Sequence, residues 1–229
     1  MAATCMARTA TIFDIDGTLI DSVDLHTQAW REAFREVGKE PHFVDIRSQI
    51  GKGSDMLLPC FLNEEEIAKF GHRVSKRQQE LFKEHYENRV RPFSSVPDLF
   101  SRLRKEGWIV VLASSGKRDE VDHHKKLLRI EKLVDLDVCS EDAERSKPHA
   151  DIFEVILQKL NDVGPDRMLA IGDTPYDVEA AAKAHIRAIG LLSGGFHEKE
   201  LADAGAIAIF RGPSELLFRY SEWAGLVQK

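Results

Sequence analysis

Two aspartates one residue apart, in Phe13-Asp14-Ile15-Asp16-Gly17-Thr18-Leu19, follow directly on a short apolar run that reads as a strand. Ligands of open α/β sheets bind just past the carboxyl ends of strands. Carboxylates placed there suit a hard divalent cation such as magnesium, whose ligands are oxygens. A carboxylate left partly free could attack a phosphorus as nucleophile. The competing explanation is a turn closed by Asp-Gly, and the apolar run before it favours the site.

Three further segments extend this chemistry. Ile109-Val110-Val111-Leu112-Ala113-Ser114-Ser115-Gly116 is a buried-type strand that ends in two hydroxyls and a glycine, ahead of a helix expected to begin near Lys117. Hydroxyls and free amides at a helix start can hold a phosphate, although the same residues also serve as N-caps. In Ser146-Lys147-Pro148 the proline should block a helix at its start and leave the lysine in the preceding loop with an extended backbone. Its ammonium could neutralise phosphate and carboxylate together; an ordinary surface lysine is the alternative. Leu169-Ala170-Ile171-Gly172-Asp173-Thr174-Pro175-Tyr176-Asp177 again runs from strand into carboxylates. Asp173 and Asp177 stand one helical turn apart, hence on one face, and Gly172 would let the backbone approach the first motif. Four carboxylates at two strand ends repel one another unless a cation lies among them, which is the reason to infer a metal.

The elements that must position these residues are legible as short apolar runs at Ala10 to Phe13, Trp108 to Ala113, Leu133 to Cys139, Met168 to Ile171, Ile186 to Leu191 and Ala206 to Phe210. Their alternation with helix-period stretches predicts a parallel sheet wrapped by helices. Phe153, Ile156, Leu157 and Leu160 form one helical stripe, and Trp30, Ala33, Phe34 and Val37 another, both read as core. Between Phe13 and Trp108 helix patterns continue without a convincing strand, which predicts an inserted helical domain. Asp21-Ser22 marks its exit from the core and could cap the helix that follows; Pro92, Ser94-Ser95 and Pro97 punctuate the return. The charged stretches Asn63 to Lys69 and Val74 to Arg91 read as solvated helix faces.

Composition excludes several classes. A chain of 229 residues that is 43% hydrophobic and 31% charged is an ordinary globular protein, and its formal net charge of −6 argues against nucleic acid as a partner. The three cysteines, Cys5, Cys60 and Cys139, are odd in number and far apart, so neither a disulfide framework nor a metal knuckle is expected, and a reducing, cytoplasmic compartment fits. The apolar run near the amino terminus is too short for a signal-peptide core, and nothing approaches the ~18 apolar residues of a membrane span, so no membrane partner is expected.

Taken in order, the four motifs resemble the signature of the haloacid dehalogenase-like superfamily: DxDGT, a strand-end Ser or Thr, a Lys, and GDxxxD. The resemblance covers nearly the whole chain. The insert looks like the helical cap of the subfamily that includes phosphoglycolate phosphatases and β-phosphoglucomutases. The similarity implies a Rossmann-like parallel-sheet core, residues 1–20 and 95–229, closed by a mobile all-helical cap domain, residues 21–94. It also implies roles: Asp14 as nucleophile and metal ligand, and Asp16 as general acid and base that lends a backbone carbonyl to the metal. Ser114 and the amide of Ser115 would bind phosphoryl oxygens, Lys147 would balance charge, Asp173 would bind magnesium, and Asp177 would act as ligand or support. Asp16 separates the chain from dehalogenases and phosphonoacetaldehyde hydrolases, which lack an Asp there.

The activity so implied is magnesium-dependent (Mg2+) hydrolysis of a small phosphorylated metabolite, phosphoglycolate being one candidate, through an aspartyl-phosphate. The alternative is a sugar-phosphate mutase of the β-phosphoglucomutase type; a catalytically idle binding module is disfavoured by the intact acidic and hydroxyl set. His26 matches a histidine that many members carry, placed near the substrate or on a helix surface. Gln49 to Ser54 resembles the specificity loop, with glycines that allow close approach of a ligand and Lys52 able to reach an anion. Ser54 stands where mutases tend to carry an arginine, and Gly172-Asp173 where they tend to carry Glu-Asp. Both departures favour hydrolysis, with Arg47 or Lys52 able to replace the missing arginine. Monomer and dimer are both open.

Overall fold

The structure, a computed structural model, describes residues 8–227; Cys5 lies outside the described residues, and the short apolar run near the amino terminus is strand Ala10–Phe13. The strands are β1 (Ala10–Phe13), β2 (Ile20–Asp21), β3 (Arg91–Pro92), β4 (Ile109–Ala113), β5 (Leu136–Val138), β6 (Met168–Gly172), β7 (Arg187–Leu191) and β8 (Ala208–Phe210). Six of them form one parallel sheet in the order β5-β4-β1-β6-β7-β8. All six strands expected from the apolar runs are present.

Their near-continuous apolar sequence reflects burial on both faces, as a parallel sheet requires. Successive side chains point to opposite sides, so Phe13, Leu112 and Ile171 join a core with helices Val96–Lys105, Arg118–Leu128 and Pro213–Phe218. Ile12, Val111 and Ala170 join a second core under helices Asp151–Lys159 and Pro175–Lys183. From central β1 the chain builds β4 and β5 on one side, then crosses back to lay β6 to β8 on the other. That reversal opens a crevice at the carboxyl ends of β1, β4 and β6.

The segment between β1 and β4 is helical, with helices Val23–Arg35, Phe43–Arg47, Ser54–Leu57 and His72–Leu81 among its elements. One departure from a strandless insert is the antiparallel pairing of β2 with β3, Ile20 opposite Pro92 and Asp21 opposite Arg91. Two residues are too few to show an alternating pattern. The pairing ties the exit of the insert to its return. Trp30, Ala33 and Phe34 are buried with Val37 partly so, and Phe153 and Ile156 are buried with Leu157 and Leu160 partly so, as their stripes predict. Asn63 caps the next turn: its side-chain oxygen accepts from the Glu66 N–H at 3.0 Å while Glu66 accepts from the Asn63 N–H at 3.1 Å.

Two local expectations are corrected. Ser22 makes no cap hydrogen bond, because its hydroxyl donates to Asp16. Pro148 does not open a helix: the Lys147–Pro148 bond is cis and the helix begins at Asp151. Cys60 is exposed, Cys139 is buried, and both are free. Among the described residues no helix is long and apolar enough to cross a membrane.

Phe100 is fully buried with its ring centroid 4.8 Å from that of Phe13 under the central strand. Phe100→Ala should lower the unfolding free energy in urea by about 3–5 kcal/mol. Val44→Ala, at a side chain 68% exposed, should change it by no more than about 0.5 kcal/mol.

Candidate active site

The ladder hydrogen bonds continue one residue past the strands, Asp14 N–H to Ile171 O at 2.9 Å and Ser114 N–H to Val138 O at 3.0 Å. The first chemical residue after each strand is therefore held as rigidly as the sheet. The turn beyond Asp16 needs Gly17, which has φ +77° and where a Cβ would lie 2.3 Å from Asp173 Oδ2. Gly194 closes on the same oxygen, with a Cβ position 1.6 Å away. Gly172 does not serve approach of the first motif; the space beside it is taken by Asp177, whose Cγ would stand 2.4 Å from a Cβ there.

Asp173 and Asp177 converge, though not as neighbours on one helix face. The helix starts at Pro175, so Asp173 precedes it, and Asp177 is the third residue of a capping box with Thr174. Asp177 Oδ2 accepts from the Thr174 N–H at 3.1 Å and its hydroxyl at 2.7 Å. Asp173 Oδ1 accepts from the Thr18 hydroxyl at 2.7 Å, while Oδ2 is buried without a hydrogen-bond partner.

Lys147 is 1% exposed, so the surface-lysine alternative fails. Its ammonium donates to Asp14 Oδ1 at 2.6 Å and to the Ala113 carbonyl at 2.9 Å, and it forms an ion pair with Asp177 Oδ1 at 2.7 Å. One oxygen each from Asp14, Asp173 and Asp177 fall within 4.8 Å of one another. The Asp14 carboxyl is pushed up to about 7: burial raises it most, Lys147 opposes the rise, and Asp177 and Asp16 add to it. Burial, then Asp14 and Asp177, raise Asp173 well above the ordinary carboxylate range. One ammonium cannot neutralise three buried carboxylates, and one Asp173 oxygen has no hydrogen-bond partner among the described residues. An all-oxygen set with an unmet charge fits a hard cation such as magnesium.

The Asp16 carboxylate is not in this cluster. It accepts from the Ser22 hydroxyl at 2.6 Å and from His26 Nε2 at 3.1 Å. Burial opposes its charge, but His26 and the Ser22 hydroxyl hold it below the usual range. His26 is in turn penalised by burial and raised by Asp16. Its ring stacks on Phe82 at 3.8 Å, and Nδ1 lies 3.4 Å from the Gln78 side-chain nitrogen. His26 is thus no bare surface histidine.

Ser114 is buried, and its hydroxyl accepts from the Gly116 N–H at 3.0 Å. The Ser115 hydroxyl donates to the Gly51 carbonyl of the insert at 3.0 Å, and the Ser115 N–H has no acceptor among the described residues. Neither serine caps the following helix, whose N-cap is Lys117. Asp14, Asp16, His26, Lys52, Ser114, Ser115 and Lys147 line one cavity of about 290 Å³. Asp173 and Asp177 lie behind it.

The insert closes the cavity. Gly53 N–H donates to Ser146 Oγ at 2.9 Å, and Ser146 donates to the Asp55 carboxylate from its N–H at 3.0 Å and its hydroxyl at 2.6 Å. A Cβ at Gly51 would stand 2.7 Å from Thr174 Cγ2, and at Gly53 2.6 Å from Ser146 Cβ. These glycines bring the loop against the core, and both also line the cavity. Lys52 lines the cavity with its ammonium 2.5 Å from Gln49 Oε1 and 4.5 Å from the Tyr176 ring centre. Arg47 is elsewhere, bonded to Asp24 and to the Gly194 carbonyl. The motifs gave no sign of Trp30, Gln78, Gln79 and Glu120, which also line the cavity. Nothing in their local sequence separates them from core stripes or solvated helix faces.

The sequence pattern of the haloacid dehalogenase-like hydrolases matches residues 11–191. A phosphorylated carbohydrates phosphatase from Thermotoga maritima is 29% identical over 91% of this chain and 96% of its own. A phosphoglycolate phosphatase from Aquifex aeolicus is 32% identical over 76% of this chain and 79% of its own. The crystal structure of a hydrolase from Pseudomonas syringae superposes with a TM-score of 0.85 at 28% identity, over 94% of this chain and 98% of that one.

Magnesium chloride should raise the melting temperature of the wild-type chain, since a cation bound only by the folded state stabilises it. Asp173→Asn removes a repelling charge and a ligand together. The metal-free variant should melt no lower than wild type, and magnesium should no longer shift it. A shift equal to that of wild type, followed by scanning fluorimetry, would place the metal elsewhere.

Proposed function

We propose that this chain, which belongs to the haloacid dehalogenase-like hydrolase family, is a magnesium-dependent phosphatase that passes the phosphoryl group of a small monoester to Asp14 and then to water. The observation that carries this reading is the split environment of Asp14. Oδ1 is fixed by Lys147, whereas Oδ2 makes no hydrogen bond among the described residues, and Asp14 lines the cavity. An anchored carboxylate with one free oxygen is poised for in-line attack.

The other groups follow from where charge develops. Ser114 and the unused Ser115 N–H would receive phosphoryl oxygens, and Lys147 would balance charge on Asp14 as it is phosphorylated. Magnesium, held by Asp14, Asp173 and Asp177 with a backbone carbonyl at Asp16, would supply positive charge for the phosphoryl oxygens. Asp16, coupled to the His26 proton at 3.1 Å, would serve the leaving oxygen and then the attacking water. We take residues 21–94 as the cap and the β2–β3 pairing as its hinge.

The mutase alternative needs an anchor for a second phosphate. Ser54 is neutral, Arg47 does not line the cavity, Lys52 is held by Gln49, Arg145 is paired with Asp151, and Lys117 is turned to solvent. The two relatives above are named as phosphatases of different substrates, a carbohydrate phosphate in one and phosphoglycolate in the other. We infer that the working substrate is a phosphorylated metabolite of the cytoplasm.

Phosphate release from a panel of sugar phosphates, 2-phosphoglycolate, nucleotides and p-nitrophenyl phosphate should require magnesium and stop with excess chelator. Asp14→Asn should fold normally and lose turnover; more than about a tenth of wild-type activity would remove Asp14 as nucleophile. Conversion of a hexose 1-phosphate to its 6-phosphate without phosphate release would establish the mutase instead.

A further inference from the structure

The cavity must hold the part of the substrate that leaves, and its lining shows which leaving groups it suits. Of the charged side chains that line it beyond the phosphoryl site, three are already engaged: Lys52 by Gln49, Asp55 by Ser146, and Arg145 by both oxygens of Asp151. Lys117 and Glu144 are exposed to solvent. Glu120 differs from all of these. It is half-buried at the first turn of helix Arg118–Leu128, near enough to His26 and Asp16 to feel both charges. Its Oε2 accepts from the Lys117 N–H at 3.1 Å, while Oε1 has no hydrogen-bond partner among the described residues.

The insert contributes two amides to the same lining. Gln78 is 7% exposed and uses its nitrogen on His26, which leaves its oxygen available. Gln79 makes no side-chain hydrogen bond among the described residues. Gln79 and Glu120 also border the outer cleft between helices His72–Leu81 and Arg118–Leu128, into which a larger leaving group could extend.

The unmatched groups include three acceptors, Glu120 Oε1 and the side-chain oxygens of Gln78 and Gln79, beside the donors of the Gln79 amide. Hydroxyls of a sugar or polyol both donate and accept, so they can meet such a mixed set. A carboxylate or a second phosphate on the leaving group offers acceptors only and meets the like charge of Glu120. We propose that Glu120, with Gln78 and Gln79, forms a leaving-group subsite that selects uncharged polyhydroxylated monophosphates and rejects monoesters with a second anionic group. The inference rests on the phosphatase reading above and goes beyond it by naming the residues that choose the substrate. A site built to hydrogen-bond hydroxyls discriminates strongly against analogues that cannot donate.

The test compares kcat/KM for sorbitol 6-phosphate and glucose 6-phosphate with that for 2-phosphoglycolate and fructose 1,6-bisphosphate, with p-nitrophenyl phosphate as reference. Wild type should favour the uncharged leaving groups by at least about tenfold. Glu120→Lys should shift the ratio towards 2-phosphoglycolate by about tenfold or more, and Glu120→Gln should shift it less. Because Glu120 also holds the Lys117 N–H, Gln79→Lys provides a second cation at the subsite without breaking any described hydrogen bond, and it should move the ratio the same way. The proposal is overturned if wild type cleaves 2-phosphoglycolate as well as the sugar phosphates, or if both lysine variants leave the ratio within about twofold of wild type. Failure to cleave any ester with magnesium, p-nitrophenyl phosphate included, would overturn the phosphatase reading instead.

Discussion

Lys147 is a single buried ammonium set against three buried carboxylates, and the geometry of the crevice follows from that imbalance. A charge taken out of water costs several kcal/mol unless it is paired, so each carboxylate must find a donor or a cation. Lys147 answers Asp14 and Asp177, Thr18 and Thr174 answer Asp173 and Asp177, and one oxygen of Asp173 is left over. The sheet order makes the convergence unavoidable, because β1 lies between β4 and β6 and each ends at the same level. The repulsion that would unfold an ordinary core would be relieved by a divalent cation placed among these oxygens.

The parts legible in the sequence are those governed by local rules. Six apolar runs became six strands, and two helical stripes buried the residues they marked. The motif residues Asp14, Ser114 and Lys147 reached one cavity because each follows directly on a sheet strand or on the loop that crosses its end. Misreadings arose where a side chain had two possible partners. Ser22 could cap a helix or bond Asp16, and a buried carboxylate is the stronger acceptor. Asp177 could stand one turn from Asp173 or complete a capping box with Thr174, and the box starts the helix two residues later than the turn would. Gln78, Gln79 and Glu120 carry no pattern at all, since which face of a charged helix meets a cavity depends on the docking of two distant segments.

That docking is carried by few bonds. Ser115 to Gly51, Ser146 to Gly53 and Asp55, Tyr176 to Ser48, and Arg47 to Gly194 each join the insert to a loop of the catalytic crevice. Several are exposed, and a typical hydrogen bond contributes only about 0.5–1.5 kcal/mol net. A contact of this size can open and close without unfolding either side, as access to an enclosed cavity requires. The same bonds touch Ser115 and Ser146, the neighbour of Lys147, so docking of the insert bears directly on the loops that carry the candidate site.

His26 extends that coupling to proton transfer. Asp16 belongs to the strand-end loop, but its partner sits on the first helix of the insert, beyond the β2–β3 crossing. The ring of His26 is itself fixed by Phe82 and Gln78, both on later helical segments of the insert. A displacement of those segments would loosen the ring and with it the proton beside Asp16, while Ser22 would still hold the carboxylate in place. Asp14 and Lys147 both belong to the core, whereas His26, Gln78 and Gln79 belong to the insert. On the proposed reading, the nucleophile would be fixed by the sheet alone, and the groups that serve the leaving oxygen would be in place only when the insert is docked.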